Sequence, residues 1–129
     1  MVMRIAEAFF YTSDLERSLA LYRDLLGGTV VESGGPWVAL MFGDSNTKLG
    51  LYHTGGDPVP FAPAGPNGLR QGATVTFEVS DLPAEIGRLA AAGIQFDGGV
   101  VSGDWGQAIA FCDHDRNSLQ LIQYAQPTA

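Results

Sequence analysis

Two kinds of apolar spacing follow one another along this chain, and they do so twice in the same order. Ala8-Phe9-Phe10-Tyr11-Thr12 is a short β-like run; beyond Ser13-Asp14, the residues Leu15, Leu19, Tyr22, Leu25 and Leu26 recur at helical spacing until Gly27-Gly28. The second copy runs Val75-Thr76-Phe77-Glu78-Val79, then Ser80-Asp81, then Leu82, Ile86, Leu89 and Ala90 up to Gly93. A Ser or Asp ahead of the first turn accepts that turn's unpaired N–H groups, and glycine supplies the left-handed residue that stops a helix. Both helices are therefore predicted to start and end by the same chemistry, as one unit written twice.

The repeat continues downstream. Trp37-Val38-Ala39-Leu40-Met41-Phe42-Gly43-Asp44 parallels Gly106-Gln107-Ala108-Ile109-Ala110-Phe111-Cys112-Asp113, and Leu49-Gly50-Leu51-Tyr52 parallels Leu119-Gln120-Leu121-Ile122. Each pair reads as two antiparallel strands joined by a polar turn, Asp44-Ser45-Asn46-Thr47 in one half and Asp113-His114-Asp115-Arg116-Asn117 in the other. With Thr29-Val30-Val31 and Ile94-Gln95-Phe96 as further strands, each half becomes βαβββ and the fold class α+β. The first module spans 1–53 and the second 73–129. Between them, 54–72 is a connector rich in proline and glycine, where Phe61 and Leu69 are apolar side chains placed to cover a pocket if the loop is more than a passive linker.

Composition narrows the function. The chain has 129 residues, 46% hydrophobic, enough for one ordinary core or two small modules. No apolar run approaches the roughly 20 residues of a membrane span, Met1-Val2-Met3-Arg4 does not read as a signal peptide, and Cys112 is the single cysteine. A cytoplasmic protein without membrane contact is expected. A net charge of −7 with seven Lys and Arg excludes a nucleic-acid surface, which needs clustered cations, and favours solubility or a cationic ligand.

The two βαβββ units, the Asp-Leu helix starts, and the stretch from Trp105-Gly106 through Phe111-Cys112-Asp113-His114-Asp115-Arg116-Asn117-Ser118-Leu119-Gln120-Leu121 resemble the vicinal oxygen chelate superfamily. That group includes glyoxalase I, extradiol dioxygenases and bleomycin-resistance proteins. The resemblance implies paired cup-shaped mixed sheets around a pocket, with halves paired within one chain or exchanged between two; a homodimer is expected. The family usually reads Asp-Pro-Asp-Gly-Asn at the second turn, so Arg116 stands where glycine is usual and has to accept an unfavourable backbone conformation.

Metal-dependent members of that family place a ligand seven residues before each helix-starting Asp and another on the last strand of each half. Those positions here are Glu7, Gly50, Thr74 and Gln120. Only Glu7 is a strong donor, so neither a metal nor another cofactor is expected. His53, by alternation, falls on the face opposite Gly50, and His114 lies in a polar turn; both read as surface histidines.

Alternate strand residues share a face. In the family's register the pocket lining is then Glu7, Phe9 and Tyr11; Trp37, Ala39 and Met41; Gly50 and Tyr52; Thr74, Thr76 and Glu78; Ala108, Ala110 and Cys112; and Gln120, Ile122 and Tyr124. The expected ligand-binding residues are Glu7, Phe9, Tyr11, Trp37, Met41, Tyr52, Thr76, Trp105, Ala110 and Gln120, either as a stacking surface for a flat organic ligand or, for the aromatics, as ordinary core. Trp105 either stacks on the ligand or closes a sheet edge. Glu7 is the candidate catalytic residue if desolvation in an apolar pocket raises its pKa.

Three functions fit. The first is a metal-independent small-molecule binding protein that sequesters an antibiotic or another natural product. The second is a metal-independent isomerase or cyclase, with Glu7 as acid or base and Tyr11 or Gln120 as donors. The third is a metal-dependent lyase or dioxygenase that recruits a ligand outside the family positions, such as His53.

Overall fold

The computed structural model describes residues 2–57 and 73–126, so Phe61, Leu69 and most of the connector lie outside the described residues. The chain divides into two compact units, Met1–Phe61 and Ala62–Ala129, each built on one four-stranded mixed sheet.

The first unit runs β1 (Glu7–Thr12), α1 (Leu15–Leu19), β2 (Thr29–Gly34), β3 (Trp37–Met41) and β4 (Lys48–His53). Its sheet order is β1-β4-β3-β2. The helix carries the chain from one sheet edge to the other, and β2, β3 and β4 then return as an antiparallel meander that leaves β4 parallel to β1. The second unit repeats this with β5 (Val75–Glu78), α2 (Leu82–Ala91), β6 (Phe96–Gly103), β7 (Gly106–Cys112) and β8 (Ser118–Tyr124), in the order β5-β8-β7-β6. Both units are thus βαβββ.

Each sheet buries the face that meets its helix. Val38, Leu40, Leu49 and Leu51 are buried together with Leu19, Leu21 and Tyr22 in the first unit; Ile109, Phe111, Leu119 and Leu121 are buried with Leu82 and Leu89 in the second. The helix starts follow the repeated tripeptide: Asp14 Oδ1 accepts from Arg17 N at 3.1 Å and Asp81 Oδ1 from Ala84 N at 3.1 Å.

Three local features differ from the sequence expectation. The first helix keeps α geometry only to Leu19 and continues as a π-helical stretch, Ala20–Leu25, whose widened turn ends with Leu26 N donating to Leu21 O at 2.8 Å. Gly28 comes next, and a Cβ there would collide with Phe42, Leu40 and the Tyr22 carbonyl, so the wide turn brings this backbone down onto the sheet. Strand β6 begins only at Phe96, leaving Ile94 and Gln95 to the helix exit, where Ile94 N donates to Leu89 O at 3.0 Å. The strand equivalence also slips: Gly50 pairs with Ala39 and Gln120 with Ala110, so Trp37 corresponds to Ala108 rather than to Gly106. The repeated Phe-x-Asp of the turns suggests the other alignment, but the two hairpin loops differ in length. A slip of two preserves alternation, and every residue keeps its expected face.

Candidate functional site

Among the described residues, exposed aromatics gather on the face of the first sheet turned away from its helix. Phe9, Tyr11 and Tyr52 are 46%, 41% and 42% exposed, values unusual for large rings on strands. Register explains their meeting: Phe9 lies beside Gly50, Tyr11 beside Tyr52, and Tyr52 beside Trp37. Phe9 contacts Tyr11 and Trp37 edge to face with ring centroids at 5.6 and 5.7 Å, and Tyr11 meets Tyr52 in the same way at 5.8 Å. Met41 ends β3 on the same face.

One end of this surface is charged. Lys48 Nζ lies 3.1 Å from Glu32 Oε1 and 3.8 Å from Glu7 Oε1, and the Trp37 indole N–H donates to the same Glu32 oxygen at 3.3 Å. The hydrogen bond from Lys48, and after it that from Trp37, holds the Glu32 carboxyl below the usual carboxylate range. Glu7 is paired with a cation and 37% exposed in its side chain, not enclosed in apolar surroundings.

The open face of the second sheet is polar and small. Thr74 shares a hydrogen bond with Ser118 at 2.8 Å, and Thr76 donates to Gln120 Oε1 at 3.0 Å. Ala110 pairs with Gln120 on one side and Asp97 on the other. Asp97 sits where β6 bulges before Val101; its Oδ2 is buried without a hydrogen-bond partner, and its charge, after burial itself, pushes the Cys112 thiol up. Trp105 occupies the β6–β7 turn, 44% exposed, with its indole nitrogen folded close over Gly103.

Asp97, Glu32 and Lys48 were missed by sequence reasoning. The glycine pair Gly98-Gly99, which marks the β6 irregularity, was the available signal for Asp97. For Glu32 and Lys48 the strand pattern carried none.

His53 keeps its expected face, and His114 departs from expectation. His53 pairs with Thr12, whose buried hydroxyl is bonded to Ser18 of α1 at 2.6 Å, so His53 belongs to the helix-packed face and away from Glu7. Its counterpart in the second unit is Gln123, which accepts the Leu82 N–H at 2.7 Å and so completes the start of α2. His114 is not a surface residue: its side chain is 8% exposed, with Nε2 3.0 Å from Asp115 Oδ2. The turn curls around Asp113, whose carboxylate accepts from Asp115 N, Asn117 N and Asn117 Nδ2, and this brings His114 inward.

The family's four ligand positions do not suit a divalent ion. In the first unit Glu7 is paired with Lys48, and the room a side chain would need at Gly50 is filled by the Trp37 ring. In the second, the Thr74 hydroxyl and the Gln120 amide oxygen are engaged with Ser118 and Thr76. Among the described residues no three His, Cys, Asp or Glu side chains group as metal ligands.

Two βαβββ sheets, each with one face on a helix and one open, define a vicinal-oxygen-chelate type of domain. The chain belongs to the Glyoxalase/Bleomycin resistance protein/Dioxygenase superfamily, whose sequence profile matches residues 4–121. Curated protein sequences give no match. Solved structures share the fold at low identity. An antibiotic binding protein, TnmS3 from Streptomyces sp. CB03234, is 20% identical with a TM-score of 0.72, covering 96% of this chain and 98% of that one. A glyoxalase/dioxygenase from Nostoc punctiforme is 14% identical with a TM-score of 0.79, covering 95% and 92%. Oxidase ChaP-H1 is 19% identical with a TM-score of 0.70, covering 96% and 98%.

Proposed function

We propose that the chain is a metal-independent binding protein that holds a small hydrophobic or aromatic ligand, cationic ones included, against the open face of the first sheet, sequestering an antibiotic or another natural product. The observation that carries this reading is the edge-to-face cluster in which exposed Phe9, Tyr11 and Tyr52 meet around half-buried Trp37. Rings left in water on a strand face gain by covering a flat apolar ligand, at about 25 cal/mol per Å² buried. The adjoining Glu7 and Glu32 outnumber Lys48, which suits a ligand carrying positive charge. A neighbour of the same fold described as an antibiotic binding protein supports it.

Titration with bleomycin and with acridine orange, followed through Trp37 fluorescence in a Trp105→Phe background, tests the reading. Saturable quenching with a Kd near or below about 10 µM supports it, since such affinity corresponds to roughly 7 kcal/mol. Absence of binding across a panel of planar drugs at that concentration removes it.

A second reading is favoured by the position of Glu7 on the same face, two residues from Phe9. It makes the site a metal-independent isomerase or cyclase with Glu7 as acid or base, and turnover unchanged in Glu7→Gln sinks it. In either case the chain is proposed to act as a cytoplasmic homodimer, a reading supported by exposed Val100 and Val101 on β6. Light scattering that returns a single-chain mass removes the dimer.

A further inference from the structure

We propose that Gly50 and Glu32 are positioning residues for Trp37: the family's last-strand ligand position has become the seat of an indole, and the seated ring determines which ligands the site accepts. This rests on the binding role proposed above and adds the residues that set its selectivity.

The geometry is specific. A Cβ at Gly50 would overlap the six-membered ring of Trp37, so the indole lies directly on the β4 backbone. Gly50 has no left-handed conformation to explain its glycine, because its φ is outside the positive range, and close approach of the ring is the reason that remains. The ring is fixed at its other end, where the indole N–H donates to Glu32 Oε1 at 3.3 Å and Lys48 holds that carboxylate at 3.1 Å. Phe9 closes a third side edge-on.

The second unit offers an internal comparison. The counterpart of Gly50 is Gln120 and that of Trp37 is Ala108, each in the same register position. One sheet pairs a large ring with no side chain; the other pairs a small side chain with an amide. The volumes are exchanged across the two strands, as expected if Trp37 and Gly50 are matched to each other. A side chain at position 50 evicts the ring, and the flat wall it presents is lost.

The test uses the full chain in a Trp105→Phe background, leaving Trp37 as the single indole. Gly50→Ala is compared with Glu32→Ala, which removes the acceptor of the indole N–H from an exposed position and leaves the buried face of the sheet intact. Without ligand, acrylamide quenching of Trp37 is expected to rise at least twofold in both variants and its near-UV dichroism to fall. With acridine orange, binding is expected to weaken about tenfold in Gly50→Ala and about threefold in Glu32→Ala, while the far-UV spectrum of Glu32→Ala stays unchanged. Unaltered quenching and dichroism in Glu32→Ala overturn the seat, even if Gly50→Ala does not fold. Altered quenching with unaltered affinity overturns its role in selectivity. Failure of the parent protein to bind any probe counts against the binding role instead, and the ligand-free signals still decide the seat.

Discussion

Arg116 is the one described non-glycine residue with positive φ, at 67°, and it stands where the family's turn usually has glycine. A side chain in the left-handed region costs roughly 1–2 kcal/mol, partly offset on glycine substitution by the greater entropy of the unfolded chain. Arg116→Gly is expected to raise stability by about 0.5–1 kcal/mol, measured by urea unfolding. Cys112 offers a second test at this scale. Burial, and next to it the charge of Asp97, push its thiol up, so little thiolate exists near neutral pH. Asp97→Asn removes that negative charge, lowers the thiol pKa, and is expected to speed iodoacetamide labelling several-fold at pH 8; an unchanged rate contradicts the coupling. These residues show the limits of sequence reading at this scale. The strain at Arg116 was legible because a turn position dictates its backbone angle. The environment of Asp97 was not, because it depends on which residue of β6 the bulge skips.

The two helices share a cap but differ beyond it. Asp81 accepts from Ala84 N while Gln123, reaching across from β8, accepts from Leu82 N, so two of the unpaired donors of α2 are satisfied. Asp81→Ala is expected to cost about 1 kcal/mol, read as a lowered urea midpoint with an unchanged slope. The tripeptide made this cap legible, whereas the partner from β8 was not, since nothing local links residue 82 to residue 123. In α1 the hydrophobic spacing runs to Leu26 and predicts a single helix. The structure widens it to π geometry from Ala20, because Gly28 has to settle against Leu40 and Phe42, a demand made by the sheet and not by the helix. The charged end of the first sheet belongs to this scale as well. Glu32 titrates below its usual 4.5, so the contact it makes with Trp37 is complete above that value and is lost as pH falls through the lowered one. Trp37 quenching by acrylamide is expected to stay flat down to about pH 4.5 and to rise below it, and Glu32→Ala to abolish that rise.

At the scale of the molecule, the four family ligand positions supply one strong donor, and that donor is paired with Lys48. Elemental analysis of protein purified without chelator is expected to find less than about one tenth of an equivalent of transition metal per chain, with no gain after reconstitution. A stoichiometric metal contradicts the assignment and restores the lyase or dioxygenase reading with other ligands; His53, on the helix-packed face, is not placed to be one of them alongside Glu7. No helix among the described residues is long and apolar enough to cross a membrane.

The sequence alone determined the duplicated βαβββ plan, the helix starts and the face each strand residue occupies. Those come from short-range rules: side-chain alternation along a strand, helical spacing, and the acceptors that a first turn requires. Tertiary structure decided what the faces mean. Only pairing between distant strands could set Trp37 over Gly50, bring Glu32 to the indole, and hold Lys48 between Glu32 and Glu7. A strand pattern fixes which side a residue is on, but the neighbour it meets there depends on register across the sheet.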